Sequence, residues 1–370
     1  MRAQSAASVR AGRAGTTDVP RWFGTTLRGV AGHKTGSVVG VLVLVVSVAA
    51  ACGGGDGASS TPAGAITTQS GVPVGSMAQL RTSRVQAVIP VGGAPHAPDW
   101  QAEGYGSLWV ANGAKSAVQR IDPATNRVTA VVRIGTEPCA GLTAGFGSVW
   151  AVDCTRGALV RIDASSARVV ARIPVSPASD EGLIAAGQGG VWILTTNNAG
   201  HALLVRVDPA TNRVAARVPV PMGSTAAAVG FGSVWVTTAA GSTVERVDPS
   251  AGRVTATIRV HAGPRFLATG EGAVWVLNQS DGSVSRIDPH TSQVVATILV
   301  NVPGEGGCIA AGEGAVWVTM PGTPVTSIDP DKNVVTEQFT GRGGDCISTG
   351  FDSVWLSNHN LGNVWRLSPR

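Results

Sequence analysis

Seven copies of one short pattern, Gly-x-Gly-Ser-Val-Trp-Val with small variations, run through the last three quarters of the chain. Their tryptophans are Trp109, Trp150, Trp192, Trp235, Trp275, Trp317 and Trp355, at steps of 41, 42, 43, 40, 42 and 38 residues. A period of about 40 residues, with a glycine turn between alternating apolar segments, is the spacing of a blade of four short strands. Such a unit cannot bury both of its faces alone, so the copies must stack on one another.

The repeat from Thr136 to Arg172 shows the pattern in full. Ala140 to Ala144 reads as an inner strand and Phe146-Gly147 as a tight turn. Val149 to Asp153 alternates apolar and polar residues as a second strand does. Arg156-Gly157 form the next turn, Ala158 to Ile162 the third strand, and Arg168 to Ile173 the outer one. In sister repeats the last turn is Asp122-Pro123-Ala124-Thr125-Asn126 or Asp208-Pro209-Ala210-Thr211-Asn212. Proline presets φ for such a turn, and the aspartate bonds back to the backbone.

The two ends of the repeat region are complementary. Asn363 to Leu367 matches a third strand with nothing after it, and residues 84–91 match an outer strand with nothing before it. The chain is therefore expected to be all-β: a seven-bladed β-propeller, four antiparallel strands per blade. The ring closes when N-terminal strand 84–91 pairs with the C-terminal blade, which hides edges that would otherwise be open.

The tryptophans read as packing residues between neighbouring sheets. The recurring Arg-(Ile/Val)-Asp units, such as Arg161 to Asp163, read as structural, with the acidic member capping a turn.

The net charge of +5 invites a nucleic-acid reading, but it sits wholly in residues 1–51, and the remainder sums to zero. No nucleic-acid partner is expected. A cationic stretch ending at Lys34 precedes an apolar run of 14 residues, Val38 to Ala51, and then Cys52. That run is short of the ~20 residues of a spanning helix and suits a signal-peptide core. The arrangement resembles a bacterial lipoprotein signal, which implies cleavage before Cys52 and lipidation there. The expected organisation is a signal peptide over 1–51, a flexible Gly/Ser/Thr-rich tether over 52–82 and the propeller over 83–370. The protein is expected to be exported, lipid-anchored to the outer face of the cytoplasmic membrane, and monomeric.

An exported body permits disulfides. Cys139 and Cys154 lie equally far from the Phe146-Gly147 turn, and a Cys139–Cys154 bridge across that hairpin is expected. Cys308 and Cys346 each stand nine residues before a blade tryptophan. Equivalent side chains point the same way round a ring, so a Cys308–Cys346 bridge needs a local departure, which the glycines at 306–307 and 343–344 allow.

In a propeller the inner strands begin, and the second strands end, at one rim of the central channel. Polar residues there that fail to repeat are the site candidates. They are Asp99, Trp100, Asp180, Glu181, Arg265, Phe266, Glu305 and Asp345 at the inner-strand starts, with His96 just before. Asp153, Asn278 and Asn358 stand three residues past a tryptophan, and His359 follows. Together they suggest an acidic and amide-lined funnel for a small polar ligand, a sugar or a cation. Solvated loop ends are the alternative. No Cys/His spacing suits a structural zinc site.

The run Gly230-Phe231-Gly232-Ser233-Val234-Trp235-Val236, with Thr243 to Pro249 and Arg253 to Ile258, resembles the YncE-like and virginiamycin B lyase-like (streptogramin lyase) seven-bladed propellers. The resemblance covers about residues 84–370 and rests on residues that build blades. It implies two readings. One is a non-catalytic binding or scaffolding module at the cell surface, with a small polar ligand or an extracellular protein partner and no cofactor. The other is a lyase that opens a cyclic depsipeptide by elimination. That reading implies a histidine base, a glutamate and Mg²⁺ at the channel mouth, for which His96 or His359 with Glu181 or Glu305 are the candidates. The lyase-like blades carry Gly-Pro-Asp-Gly before the tryptophan. Here the turn is Gly-Phe-Gly-Ser or Gly-Glu-Gly-Ala, so the resemblance speaks to fold first.

Overall fold

The computed structural model describes residues 65–67, 71–95, 97–178, 182–197 and 199–370. The leader with Cys52, and the candidates His96, Asp180 and Glu181, lie outside them. Seven antiparallel sheets follow in sequence order. Blade 1 holds strands Gln101–Gly104, Ser107–Asn112, Ala117–Asp122 and Arg127–Arg133, and each later blade repeats this order. Each inner strand abuts the next, and the last, Ile347–Thr349, abuts the first, Gln101–Gly104. Blade 7 takes its outer strand, Val85–Pro90, from the other end of the propeller region, paired antiparallel with Asn363–Leu367. The ring is thus closed by hydrogen bonds between the two ends.

The repeated pattern has a physical cause at each position. All seven blade tryptophans are at most 2% exposed. Each indole Nε1 donates to the carbonyl of the glycine five residues earlier, from Trp109 to Gly104 (3.3 Å) through Trp355 to Gly350 (2.9 Å). The buried polar edge of each ring is therefore satisfied within its own hairpin. The glycine must lack a side chain because the next blade is too close: a Cβ on Gly230 would lie 2.6 Å from Thr269, and one on Gly145 2.7 Å from Ala186. The two residues after that glycine, Phe231 and Gly232 in blade 4, both have positive φ (51° and 74°). That is the two-residue turn whose twist matches a hairpin.

The Arg-(Ile/Val)-Asp units join blade to blade. In blades 1–5 and 7 the guanidinium stacks on its own blade's tryptophan at 5.0–5.8 Å. In blades 2, 5 and 7 it also reaches the Asp-Pro turn of the following blade. Arg286 Nη1 donates to the Pro330 carbonyl (2.7 Å) and Asn333 Oδ1 (2.9 Å), and Arg366 Nη1 to the Pro123 carbonyl. Blade 6 carries Ser327 instead. Its follower, blade 7, has no third-to-outer turn to receive an arginine, because those two strands come from opposite ends of the chain. The aspartates accept hydrogen bonds from their own turns. Asp163 is held down at about 2 by the Ser166 hydroxyl, the Ser166 amide and Ser165.

Part of the segment read as tether is ordered against the ring. Ala65–Thr67 pairs in parallel with Ala296–Ile298 on the outer strand of blade 5, and Val74–Ser76 with Gln338–Thr340 on that of blade 6. A short helix, Met77–Ser83, follows, capped by reciprocal bonds between Ser76 and Gln79. Its Leu80 is fully buried beside Phe339 and Trp365.

Both cysteine pairs are bridged, Cys139 to Cys154 and Cys308 to Cys346, with Cα–Cα separations of 6.1 and 4.9 Å. The hairpin is not symmetric about its turn as simple counting suggests. A register shift between Cys139 and Leu142 sets Cys139 opposite Val152, two residues short of Cys154. Among the described residues no helix is long and apolar enough to cross a membrane.

Candidate functional site at the channel mouth

The rim brings together three of the expected residues. Asp99 and Asp345 stand at equivalent positions, each just ahead of an inner strand, in the adjacent blades 1 and 7. Their amides are fixed by the carbonyls of Ala111 (3.0 Å) and Ser357 (2.9 Å). His359 begins the short turn that ends the second strand of blade 7, and its Nδ1 lies 3.5 Å from Asp345 Oδ1. One donor atom from each of Asp99, Asp345 and His359 falls within 4.8 Å of the others. Two carboxylates and an imidazole make a donor set suited to one divalent cation with positions left for a ligand, or to the ammonium or hydroxyl groups of a polar molecule.

Arg265 and Glu305 belong to a different part of the rim. They line an 810 Å³ cavity with Gln279, Ser280 and glycines 263, 304 and 306. The Arg265 guanidinium sits over the Phe266 ring at 5.6 Å. His359 is therefore paired with an aspartate, and Glu305 stands with an arginine.

The residues three past the tryptophans are held within their blades. Asn278 is buried and donates to Ser283 and Ser285 (3.0 and 2.9 Å). Asn358 is buried, donates to Asn363 and accepts from the Gly344 amide. Asp153 is buried and ion-paired to Arg156 (3.3 Å) and Arg172 (3.7 Å). Burial pushes its carboxyl up, but hydrogen bonds from the Arg156 amide and guanidinium help hold it below the usual carboxylate range. Their position was countable along the sequence; the direction of their side chains was not.

Trp100 and Phe266 come from blades 1 and 5 and meet across the channel, edge to face, with ring centres 5.6 Å apart. They line a 270 Å³ cavity on the channel axis, together with Leu142, Ile184, Leu267, Ile309 and Ile347. Among the described residues one ionisable side chain lines it as well, Glu103, which the rim argument did not single out. The Glu103 Oε1 and Trp100 Nε1 atoms are both buried without a hydrogen-bond partner. Burial pushes the Glu103 carboxyl up to about 7. A signal for it existed in the sequence. The residue before the first glycine of the turn is Ala144, Ala186, Val229, Thr269, Ala311 and Thr349 in the other six repeats.

No family model and no curated protein sequence matches the chain. Among solved structures it is similar to selenomethionine-substituted virginiamycin B lyase from Staphylococcus aureus. The TM-score is 0.63 at 16% identity, over 76% of this chain and 98% of that one. It is also similar to BamB from Moraxella catarrhalis, with TM-score 0.55 and 13% identity over 76% and 90% of the two chains. At these identities the likeness is one of fold: the chain is a seven-bladed β-propeller, an architecture it shares with virginiamycin B lyase.

Proposed function

We propose that the chain is an exported, lipid-anchored binding module that holds a small polar ligand at the channel mouth without transforming it. The observation that carries this reading is the convergence of Asp99, Asp345 and His359 at one point of the rim, from positions where packing requires no particular residue. The rest of the repeat is committed to structure, because tryptophans, glycines, arginines and turn aspartates all have packing or hydrogen-bonding roles. Anchoring at Cys52 rests on the sequence around it. A thermal-shift screen of the full chain against metabolites and divalent metal salts tests the binding reading. A specific ligand raises Tm by mass action. Silence across the panel counts against a small ligand and in favour of a protein partner. Cys52→Ser tests the anchor: the protein leaves the membrane fraction if Cys52 carries the lipid, and stays if it does not.

A second reading has its own support. An imidazole beside a donor set that could hold a cation is also what an elimination needs: a base for the proton and a positive charge for the developing oxyanion. In that case virginiamycin B, the substrate named for the similar lyase, is opened by the wild-type chain and not by His359→Ala. An intact ring by mass spectrometry ends this reading.

A further inference from the structure

We propose that the interior of the central channel is a second binding site, separate from the rim, for a small organic ammonium ion held by the carboxylate of Glu103. The cavity is walled by aliphatic side chains from several blades, and among the described residues its lining contains no other ionisable group, since Cys308 and Cys346 are joined. Such a wall suits a compact apolar body with one charged end. It does not suit a hard metal cation, which needs about six oxygen ligands.

Two buried polar atoms in this lining, Glu103 Oε1 and Trp100 Nε1, have no partner. An unpaired buried carboxyl oxygen is costly, and an ammonium group relieves that cost directly. Among the described residues that pack directly on Glu103, none carries a positive charge. Glu103, in the inner strand, stands opposite Leu108 in the second strand. Blade 7 faces it with Ser348, whose hydroxyl donates to Gln101 Oε1 (3.0 Å), and with Gly350, where a Cβ would come within 3.0 Å of the Glu103 side chain. Blade 2 packs Ala144 against the neighbouring Gly104. Among the described residues the ionisable groups at the mouth are Asp99, Glu305, Asp345, His359 and Arg265, and the three carboxylates favour entry of a cation. The aromatic pair Trp100 and Phe266 lines the same cavity and adds π-faces, to which ammonium ions are attracted.

Because the carboxyl titrates near neutrality, binding an ammonium ion is coupled to loss of a proton. With only the ionised form competent, the apparent Kd scales inversely with its population and improves about tenfold between pH 6 and pH 8. The inference goes beyond the rim reading and does not depend on it.

Isothermal titration of the full chain with n-butylammonium chloride at pH 6, 7 and 8, with n-butanol as the neutral match, tests it. The expected result is saturable ammonium binding about tenfold tighter at pH 8 than at pH 6, with proton release at pH 6. Butanol should show no such pH dependence. Glu103→Gln and Glu103→Ala should both lose ammonium binding while melting cooperatively, and Asp345→Asn should keep the pH dependence. Equal affinity at pH 6 and 8, equal affinity for butanol, unchanged binding by Glu103→Gln, or no binding at millimolar concentration would each overturn the proposal. Loss of the rim site in Asp345→Asn with the Glu103 response intact separates failure of the rim reading from failure of this one.

Discussion

The guanidinium of Arg84 is ion-paired to the carboxylate of Glu337 across the junction of blades 6 and 7. The same guanidinium donates to the carbonyl of Ser368 (3.3 Å), so the first residues of the closing strand are tied both to the chain's end and to the neighbouring blade. This is the junction where the stacked arginine of the other blades is replaced by Ser327. The pair thus takes over part of the cross-blade linkage where the repeat cannot supply it.

Removing one partner leaves a half-buried charge unpaired. Glu337→Ala is expected to cost about 1–3 kcal/mol. The loss should appear as a lower denaturant midpoint and as faster amide exchange in Val85–Pro90, with the strands of blades 2 to 4 unaffected. Uniform loss of protection would mean that the closing strand is not the local weak point.

Arg286 both stacks on Trp275 and donates to Pro330 and Asn333 in the next blade. Arg286→Ala should therefore destabilise by about 1–3 kcal/mol. A double-mutant cycle with Asn333→Ala should show coupling of at least about 0.5 kcal/mol. Additive effects would show that the cross-blade bond contributes nothing of its own.

Gly230 is a packing glycine, not a turn glycine. A methyl group there meets Thr269 at 2.6 Å. Gly230→Ala should cost about 1–3 kcal/mol through overpacking, and Thr269→Gly, which removes the Cβ that the new methyl meets, should restore part of it. Failure of that rescue would place the strain elsewhere.

Glu103 makes stability depend on pH. Its carboxyl goes from about 4.5 unfolded to about 7 folded, so the folded state binds the extra proton in between. Stability is then greatest below about pH 4.5 as far as this group is concerned. It falls as pH rises to about 7, by on the order of 3 kcal/mol, and is flat above. Glu103→Gln should remove that slope. An unchanged slope in the variant would mean that Glu103 is not the group responsible.

The ring, its blade count and its closure were legible because the residues that build them recur: a tryptophan needing an acceptor, a glycine at a close approach, an aspartate capping a turn. The strands at Ala65–Thr67 and Val74–Ser76 were not legible. Three residues show no usable period, and their partners are edges of other blades. At the rim, Asp99, Asp345 and His359 could be placed by counting from the tryptophans. Asn278, Asn358 and Asp153 satisfy the same count, yet their side chains turn inward to local partners. Glu103 was the reverse case, a departure from the repeat inside a strand that otherwise looked like packing.

The most direct test of the account compares the wild-type chain with the Asp99→Asn/Asp345→Asn double variant in one thermal-shift panel of metabolites and divalent metal salts. The account predicts at least one compound that raises the wild-type Tm in proportion to the logarithm of its concentration, with the rise abolished in the variant. A stabilising compound that acts equally on both proteins, or a panel that stabilises neither, would contradict the assignment of the channel mouth as the binding site.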